Sequence, residues 1–417
     1  MRKLVFVYVI LICLASAQTN WGLVGFENEN VKCIAQHPQD TSIMLISIAD
    51  SIYRSVDGGY SWSFVTRFWG LPVNCLTFDP LQSDTVFALI GNGSYSDGIY
   101  RSTDAGNTWD ILAWFISPLC MTIPGFPYPF MLVGCDGLGI FKSEDCGNSW
   151  ESWNNGLTDL HIYALDYCNP FDSFPIFFAG TSHGLFYKGF NGWLQANGIP
   201  TNVKVSSISY HITGALGFAT VTGGSWSDGI YRSTDYGQNW QVVDWWIYAS
   251  CVAVNPMWFH YPEDTCSVFA GDSGLGIKRS TDCGAIWNEI NTGLGNLYIN
   301  SLSFHPEDTL RLFAATQGGL YRYDYEPGIN EDVTSLCGTK IEVPLSILRA
   351  GEPILVKCDN IKGSVEIKII NTAGRKVRID KITENTTLLK PLKRKGIYFI
   401  IFEKDEYYCS KKIIVID

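Results

Sequence analysis

Beyond its first residues the chain has no apolar run of 18, so no later segment is long enough to cross a bilayer as a helix. It has no Cys-x-x-Cys pair, and its six histidines are scattered, so no spacing suits a zinc site. No metal and no other cofactor is expected. Basic residues are scarce: residues 18–330 hold 12 Lys+Arg against 29 Asp+Glu, a balance of −17. Such a surface repels nucleic acid and anionic lipid, which leaves neutral or basic partners. Disorder is excluded over most of the length, because 46% of the residues are apolar and 14% aromatic. At 417 residues there is room for two domains.

The chain opens with Arg2 and Lys3, an apolar run from Leu4 to Ala15, and Ala15-Ser16-Ala17 before Gln18. This is the pattern of a secretory signal peptide over residues 1–17. Export permits disulfides in the twelve cysteines that remain. Their placement argues against pairing, because Cys33, Cys75, Cys120 and Cys251 occupy one repeat-equivalent position and Cys146 and Cys283 another. They are expected to be free, small, buried residues.

The repeat is Ser-x-Asp-x-Gly-x-x-Trp, found five times. Its residues are Ser55, Asp57, Gly59 and Trp62; Ser102, Asp104, Gly106 and Trp109; Ser143, Asp145, Gly147 and Trp150; Ser233, Asp235, Gly237 and Trp240; and Ser280, Asp282, Gly284 and Trp287. A short strand signal precedes each motif, and two further units keep that strand without the motif, at residues 184 and 319. The seven starts lie 47, 41, 45, 45, 47 and 43 residues apart. Alternating β segments lie upstream and a Trp-led segment downstream, so each unit holds four short strands, one propeller blade. The seventh unit lacks a Trp strand, while Trp21 near the N-terminus begins an orphan one. The N-terminal strand is therefore expected to complete the last blade and close the ring. A longer period is also present: units 2, 3 and 4 resemble units 5, 6 and 7 at an offset of 131 to 137 residues. Three blades look copied as a block.

In the motif, Asp suits a turn that accepts backbone N–H groups, Gly supplies positive φ, Ser adds a local bond and Trp packs between blades. These are structural roles. The pattern resembles the Asp-box, or BNR, repeat of sialidases, sortilin-type receptors, xyloglucanase-like glycosidases and photosystem assembly factors. The resemblance covers residues 20–326 and implies a β-propeller; a single seven-unit ring is less like the six blades of sialidases, the ten of sortilins or the paired rings of xyloglucanases.

Recognition is expected on the face opposite the motif hairpins, where loops join strands two to three and strand four to the next blade. Its candidate ligand-binding residues are Trp69, Tyr95, Asp97, Trp114, Trp226, Asp228, Trp245 and Trp246. Flat rings beside carboxylates suit sugars, although the same residues could cap blades and nucleate turns. No catalytic residue is assigned. A glycosidase generally needs two carboxyl groups about 5 to 9.5 Å apart. Asp97 and Asp228 are expected three blades apart, on the order of 20 Å or more by strand and sheet spacings. Four arginines (Arg54, Arg101, Arg232, Arg279) stand beside the motif, and the Arg-Ile-Pro signature of sialidases is missing. The reading is a secreted or cell-surface recognition module for an extracellular glycan or an envelope protein, with a glycoside hydrolase as the alternative.

After residue 327 the composition shifts to 16 Lys+Arg against 12 Asp+Glu over 331–417, and the repeats stop. Seven short strand signals predict a small Ig-like β-sandwich. Val365 to Ile369, then Asn371-Thr372-Ala373-Gly374-Arg375, and Gly396-Ile397-Tyr398 before the final Lys-Lys-Ile-Ile-Val-Ile resemble the sorting domain of type IX secretion substrates. The resemblance implies that residues 341–417 meet outer-membrane secretion machinery. The organisation is thus 1–17 signal peptide, 18–326 all-β seven-bladed propeller, 327–340 linker and 341–417 sandwich.

Overall fold

The computed structural model describes residues 20–416 apart from 126–129, 170–173, 212–214, 224–226, 246–247, 256–266, 307–310, 325–333, 337–338, 343–346, 350–352, 359–364, 372–375, 383–385, 393–395 and 405–406. The signal-peptide segment lies outside the described residues. Seven four-stranded antiparallel sheets form the propeller. Blade 1 is Val31–Gln36, Met44–Ile48, Ser51–Ser55 and Ser63–Arg67. Blades 2 to 6 follow over residues 73–114, 118–152, 162–195, 204–244 and 249–289. Blade 7 takes three strands from residues 299–324 and its outer strand, Gly22–Gly25, from the N-terminus.

That closure has a side-chain signature. Trp21 is 3% exposed and stacks on Tyr323 at 4.9 Å. Its Nε1 donates to the Ile290 carbonyl at 2.7 Å, as Trp193 Nε1 of blade 4 donates to the Trp153 carbonyl at 2.7 Å. Residues 153 and 290 correspond under the three-blade copy, so Trp21 acts as the missing outer-strand tryptophan of blade 7.

Every first strand carries a register shift at the same place, after Val31, Val73, Pro118, Ile162, Val205, Ala249 and Ile299. A bulge bends a strand and turns one side chain out of the ladder. Here the extra residue reaches the next blade: Asn74 donates to the Pro118 carbonyl, Ser206 to Ala249, Ser250 to Ile299 and Asn300 to Val31. The core lies between neighbouring blades, where Leu45 and Ile52 of blade 1 pack with Val73, Leu76 and Phe78 of blade 2.

The motif hairpins repeat one geometry. In all five, the Ser Oγ donates to the Asp Oδ1 at 2.7–2.9 Å and accepts the Gly N–H at 2.8–2.9 Å. The Asp Oδ1 also accepts the backbone N–H four residues on, and the Trp Nε1 donates to the Gly carbonyl. Hydrogen bonds to Ser61 and to Ser149 hold the Asp57 and Asp145 carboxyls down at about 2. The neighbouring arginines are used structurally as well: Arg54 Nε donates to the Ala105 carbonyl and Arg232 Nη1 to that of Cys283, each in the next blade's motif.

Four described cysteines, Cys33, Cys135, Cys168 and Cys251, are free and buried, in line with expectation, with thiols pushed up to about 12 by burial. Cys283 corrects it, because it is disulfide-bonded, whereas Cys146 at the equivalent motif position is free and exposed. Positions on different blades meet different surroundings, so equivalence in the repeat does not carry over to pairing.

The C-terminal sandwich has a four-stranded sheet, Thr334–Leu336, Thr339–Glu342, Ile354–Cys358 and Thr386–Leu389, and a five-stranded one. The latter orders Ile347–Arg349, Tyr407–Ile416, Gly396–Lys404, Val365–Asn371 and Lys376–Ile382, with only its first pair parallel. Ile354 and Val356, like Ile367 and Ile369, are buried at alternate positions, the period of a one-sided sheet. The hairpin of Thr334–Leu336 and Thr339–Glu342 straddles residue 340, where the sequence reading placed the end of the linker.

Candidate functional site

Each blade contributes two loops to the face away from the motif hairpins. In blade 1 the second-to-third turn and the outgoing loop are tied together by Asp50, whose carboxylate accepts Arg67 Nε at 2.9 Å and the Gly70 N–H at 2.7 Å. In blade 2 the same service comes from Asp97. It is 1% exposed and accepts the N–H groups of Gly93, Ser94 and Ser117 and the Ser94 hydroxyl. Those bonds outweigh burial and lower its pKa. A Cβ on Gly91 would stand 2.3 Å from the Asp97 Cγ, so glycine makes room for the carboxylate. Asp97 is therefore turned into its own loop. Asp228 is buried as well. The expectation that Asp97 faces a ligand is corrected: its short turn has backbone donors to satisfy, and the carboxylate turns inward to meet them.

The aromatic candidates lie differently. Trp69 is 83% exposed, Tyr95 96%, Trp114 65% and Trp245 63%. Trp69 and Tyr95 come from loops of blades 1 and 2, Trp114 ends the outer strand of blade 2, and the Arg67 guanidinium sits 5.3 Å from the Trp69 ring centre. Trp245 stands on the blade 5 to 6 connection. Trp226 and Trp246 lie outside the described residues.

A second group on this face spans blades 3 to 5. Asp136 sits on the second-to-third turn of blade 3, and its Oδ1 accepts His161 Nδ1 from the start of blade 4 at 2.5 Å. That bond raises the His161 pKa. Asp159 is buried, accepting the Ser182 hydroxyl at 2.5 Å and meeting His183 Nδ1 at 3.1 Å, which together hold it at about 2. The Lys204 ammonium lies 3.6 Å from the centre of the Tyr163 ring, and burial lowers its pKa. None of this group is among the ligand-binding candidates named from the sequence. Comparing unit 3 with unit 6 position by position would have found His161 and Tyr163, which align with Tyr298 and Asn300. Among the described residues no three His, Cys, Asp or Glu are placed to hold a metal ion.

Fold and face together define a closed seven-bladed propeller with an aromatic-studded loop surface, followed by a sandwich. Residues 353–416 match the family described as the secretion system C-terminal sorting domain. That domain marks the chain for export by type IX secretion to the cell surface or outside, and among the described residues no helix is long and apolar enough to cross a membrane. No curated protein matches the chain. Among solved structures it is similar to YCF48 bound to D1 peptide, at 14% identity and a TM-score of 0.55 over 75% of this chain and 96% of that one. YCF48 from Cyanidioschyzon merolae gives 17% identity and a TM-score of 0.54 over 74% and 100%. The GH74 xyloglucanase from Xanthomonas campestris gives 14% and 0.55 over 94% and 69%. Likeness at these identities shows the fold.

Proposed function

We propose that this is a non-catalytic Asp-box propeller that enters the export route by its N-terminal signal peptide and binds an extracellular glycan through the face described above. The observation that carries the reading is the division of labour on that face. Carboxylates such as Asp50 and Asp97 are committed to building loops, while Trp69, Tyr95 and Trp114 stand in solvent beside them. Exposed rings on a rigid scaffold stack on the apolar C–H faces of a sugar, and little ordering is needed on binding. The acidic balance of the propeller favours a neutral glycan. An envelope protein is the competing partner.

The test is a glycan array followed by calorimetry on the best neutral oligosaccharide. Trp69→Ala and Trp114→Ala should each weaken binding about tenfold, roughly 1.4 kcal/mol. Binding indifferent to both substitutions, or an envelope protein as the only retained partner, would sink the glycan reading. Turnover of the bound polysaccharide would instead favour a hydrolase.

A further inference from the structure

The three-blade copy supplies an internal comparison, because the loops of blades 3 and 4 have counterparts in blades 6 and 7, and blade 1 follows blade 7 in the ring as blade 5 follows blade 4. The backbones agree bond for bond. His161 N–H donates to Asp159 Oδ1 at 3.1 Å, and Tyr298 N–H to Asn296 Oδ1 at 2.9 Å. Ser182 N–H reaches the His161 carbonyl at 3.2 Å, and Gln317 N–H the Tyr298 carbonyl at 3.0 Å. Asp136 and His161 form an isolated antiparallel bridge, as Ser273 and Tyr298 do. Even the contact between blades is conserved in place: Lys204 lies over Tyr163, and Asn300 Nδ2 donates to Asn30 Oδ1 at 2.8 Å.

Neutral residues thus suffice to build these loops. Ser273, Tyr298, Asn300 and Asn30 do in one sector what Asp136, His161, Tyr163 and Lys204 do in the other, so the ionisable set is surplus to the fold. Its chemistry is that of a polar receptor. The Asp136 and His161 side chains are 42% and 51% exposed. With Nδ1 donating to Asp136, the imidazole Nε2 is left for a further partner, and the second carboxylate oxygen can accept. Lys204 has three N–H donors, and Asp136 acts on its charge. Acceptor and donor side by side suit two neighbouring hydroxyls, and hydrogen bonds from charged groups are stronger than neutral ones.

We propose that Asp136, His161, Tyr163 and Lys204 form the hydroxyl-reading subsite of this face, taking a vicinal diol of a neutral sugar, and that the counterpart sector takes none. The proposal rests on the glycan reading above and locates it in one of two sectors that share a backbone.

The experiment imports into one sector the residues its counterpart already carries. Full-length chains with Asp136→Ser, His161→Tyr or Lys204→Asn are titrated calorimetrically with cello-, manno- and xylohexaose, beside Tyr298→His and Asn300→Tyr in the other sector. For the oligosaccharide that wild type binds, Asp136→Ser and Lys204→Asn should each weaken binding at least tenfold at an unchanged melting temperature. Tyr298→His and Asn300→Tyr should leave it within twofold. If the blade 3 to 5 variants bind like wild type while Trp114→Ala abolishes binding, the subsite is overturned and the glycan reading survives. If wild type binds none of the three and no neutral sugar on the array, both fall together.

Discussion

One hydroxyl sits at the centre of each motif hairpin. Ser102 Oγ donates to Asp104 at 2.7 Å and accepts the buried Gly106 N–H at 2.8 Å, and the serine is itself buried. Replacing it with alanine removes the acceptor and leaves that N–H unmet in a place water does not reach. Ser102→Ala should cost about 1–3 kcal/mol in urea unfolding, with no change in ligand affinity. A second residue sets a pH dependence. Asp166, on the first strand of blade 4, accepts the Tyr210 N–H of blade 5 at 2.7 Å, and burial pushes its pKa up to about 7. Between its ordinary carboxyl range and pH 7 the folded state holds a proton there that the unfolded state has released. Its contribution is present at low pH and is lost as pH rises from about 4 to about 7. Asp166→Asn keeps an acceptor and cannot ionise. The melting temperature of wild type minus that of the variant should therefore fall across this window and level off above it. A difference that stays flat would mean that Asp166 is ionised throughout.

At the scale of the hairpin, glycine serves two demands at once. Gly106 has φ +86°, and a Cβ there would stand 2.7 Å from both Leu45 methyl carbons of the preceding blade. Gly106→Ala therefore meets left-handed strain of about 1–2 kcal/mol and overpacking of about 1–3 kcal/mol. Chemical denaturation should show a loss of at least about 2 kcal/mol, partly recovered by Leu45→Ala, which opens the space but not the dihedral. The motif was legible in the sequence because five copies isolate its invariant positions from everything else. Blade number and closure followed from counting, as Trp21 and the unfinished seventh unit matched. The site was less legible for a physical reason. Sequence spacing places Asp97 and Trp114 on the same face, but whether a side chain points out or into its own turn depends on which backbone donors the loop leaves unmet. Tryptophan has no way to satisfy them and stays out; aspartate does, and turns in. His161, Tyr163 and Lys204 escaped because each belongs to a strand start, read as framework, and their juxtaposition depends on neighbouring blades.

Across the whole molecule, the ring is held by contacts that each blade makes with the next, and one of the seven sheets is assembled from both ends of the propeller. The four residues Gly22–Gly25 pair with Gly319–Asp324, and Trp21 fills the space behind them. Without that strand, Gly319–Asp324 becomes an open edge with unpaired N–H and C=O groups, the kind of surface that recruits other chains. Trp21→Ala keeps the pairing and removes only the packing and the Ile290 bond, a loss of about 3–5 kcal/mol. Removing residues 20–25 from the propeller takes away both. The two changes should therefore differ in kind. Trp21→Ala should stay monomeric at a lower melting temperature, whereas the deletion should also associate, seen as concentration-dependent growth in light scattering. Because blade 7 hydrogen-bonds to blade 1 through Asn300 and Val31, loosening it should lower the transition of the whole ring. A deletion variant that stays monomeric and melts as wild type does would show that the seventh sheet stands on three strands alone, and that closure by the N-terminal strand is dispensable.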